Sequence, residues 1–186
     1  YNSLINNKRL LKAAEQNGYR ILYVLHPIVS PQADDFEKND YVDIVPATGD
    51  MSYEKVFVES SLMVTDYSGV QFDFAYMHKP VVYLHHHKIP QHYEEGTYNY
   101  DTMAFGEITH DNEELVDVLI DYMKHDCKMK DEYYKRVDDF YAFHDQNNFP
   151  QSDRDPRCHV DLSNLSANGE SARQNQNRAL LLQSRS

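Results

Sequence analysis

Leu62-Met63-Val64-Thr65-Asp66-Tyr67-Ser68-Gly69-Val70-Gln71-Phe72-Asp73-Phe74-Ala75 changes character twice within one short stretch. Leu62 to Thr65 is a buried-type run, long enough for a strand and too short for a helix. Asp66 to Gly69 supplies the small and polar residues of a turn. Val70, Phe74 and Met77 then recur at helical spacing. A strand that is apolar on both faces and runs straight into a helix belongs in a parallel sheet covered on both sides.

The same alternation extends in both directions. Upstream, Leu4, Ile5, Leu10, Leu11 and Ala14 form one helical stripe ended by Asn17-Gly18. Tyr19–Leu25 reads as a buried strand stopped at His26-Pro27, residues 41–45 as a short strand, and residues 52–60 as a helix capped by Ser52 with Glu54 in its first turn. Downstream, residues 80–84 read as a strand. Asp111 caps a helix to about Lys124 whose core face is Leu115, Val116, Leu119, Ile120 and Met123, and a last helix covers residues 129–143. The fold class expected is therefore α/β: a doubly wound, Rossmann-like parallel sheet with helices on both faces. Ligands of such sheets bind beyond the carboxyl ends of the strands. That rule selects His26-Pro27, the turn from Asp66 to Gly69, and the loop after Leu84.

Composition bounds the organisation. All 15 tyrosines and every lysine of the 186-residue chain precede residue 149. Beyond it Ser, Asn, Gln and Arg dominate, with no apolar pattern until Ala179-Leu180-Leu181-Leu182. Residues 1–148 are expected to be the folded domain. Residues 149–186 are expected to be a disordered, foreign or frameshifted tail outside it.

At 41% hydrophobic and 26% charged residues the profile is that of a globular domain. No apolar run approaches the ~20 residues of a membrane span, and no basic-then-apolar leader opens the chain. Cys127 and Cys158 make neither a disulfide framework nor a zinc site, which suits a reducing cytoplasm. A formal charge of -12 argues against nucleic acid as a partner.

The turn after Thr65 has the chemistry of a phosphate cradle: N–H groups at a helix start, the Ser68 hydroxyl, and Gly69, which lets a ligand approach the backbone. Asp66 lies in the same turn. Asp73, one helical turn beyond Gly69, is placed to accept hydroxyl hydrogen bonds. The alternative is a purely structural cap by Ser68 or Asp66, with Asp73 in solvent. His85-His86-His87, with His92 nearby, suggests metal, but in an extended segment only His85 and His87 share a face and no acidic or thiol partner has suitable spacing. A cleft-lining loop is the better reading, with neither metal nor cofactor expected. Tyr93 to Gly96 and Tyr98 to Asp101 are donor contacts or packing residues. Tyr133, Tyr134, Phe140, Tyr141 and Phe143 form an aromatic helix face.

The string from Thr65 to Ala75, followed by Lys79-Pro80-Val81-Val82-Tyr83, resembles the signature of the CDP-glycerol glycerophosphotransferase family. Gly96-Thr97-Tyr98-Asn99-Tyr100-Asp101, Phe105-Gly106 and the strand-terminal His26-Pro27 are similar to its further segments. The resemblance implies the C-terminal, nucleotide-binding half of a GT-B architecture, with its acceptor domain outside this chain. It implies CDP-glycerol as donor, a teichoic-acid-type polymer as product, and CMP leaving. His26 would be the catalytic group beside the donor diphosphate, with Thr65, Asp66, Ser68, Gly69 and Asp73 holding the donor. Gly69 departs from the family's second serine. The partners implied are CDP-glycerol or a related CDP-alditol and a lipid-linked polymer acceptor. The place of action implied is cytoplasmic, peripheral at the inner face of the cell membrane. An exposed cleft face leaves room for self-association. The alternatives are a CDP-ribitol transferase, a nucleotide-sugar glycosyltransferase domain of the same fold, and a non-catalytic nucleotide-binding module.

Overall fold

The structure is a computed structural model that describes residues 2–25, 30–36, 39–46, 53–87, 98–141 and 179–184. The apolar stripe at the start forms two helices rather than one, α1 (Asn2–Ile5) and α2 (Lys8–Gln16). Asn7 breaks it: its backbone is extended, and its side chain accepts from Arg9 N at 2.9 Å and Leu10 N at 3.2 Å, so it caps a new helix. Gly18, at φ 73°, ends α2 in the left-handed conformation that glycine adopts without a Cβ clash. The chain then runs through β1 (Tyr19–Leu25), a 3-10 turn (Ser30–Asp35), β2 (Val42–Pro46), α3 (Tyr53–Glu59), β3 (Leu62–Thr65), α4 (Val70–Tyr76), β4 (Val81–Leu84), α5 (Tyr100–Met103), β5 (Ile108–Thr109), α6 (Asn112–Lys124) and α7 (Asp131–Phe140), and ends in β6 (Ala179–Ser184).

The strands form one sheet in the order β2-β1-β6-β3-β4-β5. β1 pairs with β2, β3 with β4, and β4 with β5, all parallel. β6 lies antiparallel between β1 and β3, with Leu181 opposite Leu22 on one side and Met63 on the other. The α/β, Rossmann-like class expected from the sequence holds, with a sheet that is mixed rather than wholly parallel and in which six residues of the segment set aside as a tail form the third strand. Leu180, Leu181 and Leu182 are each 0% exposed. Three leucines in a row suit a strand buried on both faces, where polar flanks in sequence carry no weight. The expected helix cap Ser52 and the aromatic Phe143 lie outside the described residues.

Alternate side chains of each strand feed two cores. Ile21, Tyr23, Leu62, Val64, Leu180 and Leu182 pack with α2 and α6 on one face. Leu22, Met63, Val81, Tyr83 and Leu181 pack with Phe57 of α3, Phe74 of α4, Phe105 and Val137 of α7 on the other. The aromatic face of α7 packs on the domain only in part: Tyr133 is buried, while Tyr134 and Phe140 stay partly exposed. Phe140 stacks on Phe72 with centroids 5.5 Å apart, and the Tyr141 hydroxyl donates to Phe72 O at 2.6 Å. α6 is capped as expected, Asp111 accepting from Glu113 N and Glu114 N, both at 2.9 Å.

Lys79 has a structural explanation. Its ammonium donates to Phe57 O, Val58 O and Ser60 O at 2.8, 2.6 and 2.7 Å, closing the carboxyl end of α3. Burial pushes its pKa down, but three carbonyl oxygens around one ammonium favour the charged form. Lys79→Met keeps the apolar stem and leaves those carbonyls without their donor. It is expected to cost about 1.5–3 kcal/mol of stability, the size of hydrogen bonds to a charged group, read as a lower urea midpoint at unchanged slope.

Candidate functional site at the carboxyl edge of the sheet

Strand β3 ends in Thr65, which is 0% exposed and whose Oγ1 has no hydrogen-bond partner. Asp66 and Tyr67 are half-buried, Ser68 is buried and Gly69 is exposed. Gly69 stands at the helix start in right-handed helical conformation, and Ser68 reaches forward, its Oγ accepting from Val70 N at 3.4 Å. The N–H groups of Gln71 and Phe72 are taken by Ser68 O and Gly69 O at 3.3 and 3.2 Å. The turn is thus partly closed on itself, as the structural reading of these residues anticipates. Asp73 is exposed one turn along α4, and its charge adds to the burial that raises the Tyr141 phenol.

The loop after β4 supplies the facing wall. His85 stacks on Tyr67 with centroids 4.0 Å apart and planes 15° apart, and Tyr100 stands edge-on to both, 5.5 Å from Tyr67 and 4.8 Å from His85. Beneath them a hydrogen-bond chain fixes the floor. Tyr83 donates to Gln71 Oε1 at 2.7 Å, Gln71 Nε2 donates to the Tyr100 hydroxyl at 2.9 Å, and Phe105 N donates to the Tyr83 oxygen at 3.3 Å. α4, β4 and α5 are therefore held in register by buried polar groups that are mutually satisfied. Tyr98 is a packing residue, buried with its hydroxyl on Met103 O.

The surroundings of His85 favour its neutral form. Burial, with His110 nearby, pushes it from 6.5 to about 4, while a backbone hydrogen bond to Asp66 pulls the other way. Its Nε2 is buried without a partner, so the bond to Asp66 runs through Nδ1. A bond that favours the protonated ring is one that the ring donates. That assigns Nδ1–H to the Asp66 carbonyl and leaves Nε2 as a buried acceptor. An unpartnered buried acceptor costs roughly 1–3 kcal/mol, which a ligand hydroxyl or amino group would recover.

This has a pH consequence. The folded pKa lies below the unfolded one, so between 6.5 and about 4 the unfolded chain binds the extra proton. The contribution of neutral His85 is complete above that window and is lost as pH falls through it. Thermal unfolding of the parent and His85→Gln is expected to show the parent losing more midpoint than the variant between those limits. Parallel profiles would refute the assignment.

Tyr67, in the turn that also holds Thr65, Asp66, Ser68 and Gly69, thus meets His85 and Tyr100. Asp73 stands apart on the helix, and His26, His92 and residues 93–97 lie outside the described residues. His85 and His87 do not work as a pair, since His87 stacks on His110, 5.1 Å away. Among the described residues no three His, Cys, Asp or Glu side chains converge, and no helix is long and apolar enough to cross a membrane. Sequence reasoning had His85 only as one of a histidine run and did not connect Gln71 to Tyr100. The available signal was that a polar Gln71 faces the same side of its helix as Phe74 and Ala75, which are core residues.

Thr65 at the end of β3 and His85 just past β4 stand at the edge where doubly wound α/β sheets bind their ligands. The family CDP-Glycerol:Poly(glycerophosphate) glycerophosphotransferase matches residues 1–151, and the chain belongs to it. It is 45% identical over 148 residues to the minor teichoic acid biosynthesis protein GgaB of Bacillus subtilis (strain 168). That match covers 80% of this chain and 16% of the relative, so the chain spans under a fifth of that protein's length. No solved structure matches it.

Proposed function

We propose that the chain is the donor-binding domain of a GT-B-type transferase that uses CDP-glycerol to add glycerol phosphate to a teichoic-acid-type polymer. The observation that carries this reading is the pair of unpartnered buried polar atoms, the Thr65 hydroxyl and His85 Nε2, close in sequence to the Ser68 turn and to the end of β4 in a chain of this family. An acceptor hydroxyl would attack the phosphorus that bears glycerol. The bond to the cytidylyl phosphate oxygen breaks, CMP leaves, and the hydroxyl proton passes to a base or to water. Catalysis of this kind is positioning plus stabilisation of charge on phosphate oxygens. Ser68 and the Gly69 backbone would hold the diphosphate, His26 would neutralise the leaving phosphate, and neutral His85 would accept from a donor hydroxyl or amino group. For the whole protein, the acceptor is a lipid-linked polymer and the place of action the inner membrane face, as the family likeness suggests.

Calorimetric titration of the entire chain with CDP-glycerol, CDP-ribitol, CMP and a UDP-sugar tests this. Cytidine nucleotides are expected to bind in preference. Ser68→Ala is expected to weaken donor binding by about 1–3 kcal/mol with the fold intact by circular dichroism. A Cβ on Gly69 meets nothing within 4 Å, so Gly69→Ser fits and is expected to tighten binding by up to about 1 kcal/mol. Preference for the UDP-sugar, or no nucleotide binding by the folded chain, would overturn the reading.

A further inference from the structure

The sheet order assigns the central slot to a different strand from the one that fills it. Reading β2-β1-slot-β3-β4-β5 as strands 3-2-1-4-5-6 reproduces the doubly wound order, in which the slot belongs to the first strand, parallel to its neighbours. β6 runs the other way, with both of its pairings antiparallel in a sheet whose other pairings are all parallel. β6 also lies outside the family match, which ends at residue 151, although both cores of the matched region close on Leu180, Leu181 and Leu182. Residues 1–151 of this chain, the matched region, leave the slot between β1 and β3 without a strand of their own. The helix pair ahead of β1 points to the source. α2 enters β1 through the tight Asn17-Gly18 turn and packs on the α6 face, as the helix of a β-α-β unit does. The right-handed rule for such crossovers puts the preceding strand beside β1.

We propose that the slot between β1 and β3 is a strand-acceptor site whose proper occupant is an extended apolar segment N-terminal to α1 in the longer protein, running parallel to β1 and β3. β6 is a substitute. The exchange bears on the site described above. The slot is the point at which strand order reverses, where doubly wound sheets bind ligands with the loop that leaves the first strand. β6 brings its amino end to that edge, Ala179 opposite Val24, where a parallel strand would bring its carboxyl end. The proposal does not depend on which donor is bound.

The test adds to the N-terminus of the whole chain a six-residue Val/Ile segment followed by a four-residue Gly/Asp/Ser loop, with a Ser/Lys segment of equal length as control. Hydrogen exchange is read residue by residue. With the apolar extension, the amides of Leu180 to Leu182 are expected to lose protection by at least about a hundredfold, those of Ile21 to Val24 and Leu62 to Val64 to keep it, and those of the extension to gain it. Leu181→Asp is expected to unfold the control protein and to be tolerated with the apolar extension. Unchanged protection at Leu180 to Leu182, or equal damage by Leu181→Asp in both proteins, would overturn the proposal.

Discussion

Gly106→Ala is expected to leave no cooperatively folded protein. A Cβ at residue 106 would lie 1.5 Å from the carbonyl oxygen of Val81 and 2.8 Å from its carbon, and both belong to the backbone of a central strand. A flexible side chain could move aside; a strand paired on both edges cannot. The alternative is to displace residues 104–107, and these are equally fixed. Phe105 is 0% exposed, Glu107 O accepts from Tyr83 N at 2.8 Å, and the Arg136 guanidinium donates to Ala104 O at 3.0 Å. Either movement breaks the pairing of β4 with β5 and withdraws Phe105 from its core. Overpacking commonly costs about 1–3 kcal/mol, and a backbone-to-backbone clash with lost aromatic burial belongs at or beyond about 4 kcal/mol. That is most of the stability at the lower end of the ~5–15 kcal/mol range for a domain. Urea unfolding followed by tyrosine fluorescence reads it directly. A midpoint equal to the parent's would mean that the approach of Gly106 to β4 is wrong.

How much was legible in the sequence divides along a physical line. β1, β3, β4 and α6 announce themselves because local pattern and tertiary role agree: unbroken apolar runs for strands buried on both faces, a 3.6-residue stripe with an Asp111 cap for the helix. Where the deciding interaction is long-range, sequence is silent. Lys79 reads as the opening of a strand, yet its ammonium serves the end of α3 some twenty residues earlier. Gln71 is one unremarked residue of the string from Thr65 to Ala75, yet it joins β4 to α5. β5, two residues long, has no pattern to read. At the site, the turn from Thr65 to Gly69 was visible from its residue types. The pairing of Tyr67 with His85 was not, because it depends on β3 and β4 lying side by side.

A chain ending at residue 148 is expected to lose the fold altogether, although the family match extends over nearly the same residues. Composition marks residue 149 as a boundary, and a segment of Ser, Asn, Gln and Arg would ordinarily be removed without effect. Here the deletion takes out the third of six strands. Leu180, Leu181 and Leu182 leave both cores at once, each removing about 1.5–3 kcal/mol of burial. Their neighbours Ile21, Tyr23, Leu62 and Val64 then face an open cleft, so apolar area is lost from both sides of the contact. The inner edges of β1 and β3 also lose their hydrogen-bond ladders to a single deletion, which exposes two unpaired edges at the most apolar part of the sheet. The shortened chain is expected to aggregate or to behave as a loosely packed state that binds a hydrophobic dye, whereas the full chain unfolds cooperatively. Size-exclusion chromatography and urea unfolding of the two proteins side by side decide it. A monomeric 1–148 fragment with the parent's midpoint would show that β6 contributes nothing and that the β1 and β3 edges can join without it. If the fragment fails alone but folds when an apolar parallel strand is restored ahead of α1, the boundary at residue 149 separates two ways of completing one sheet.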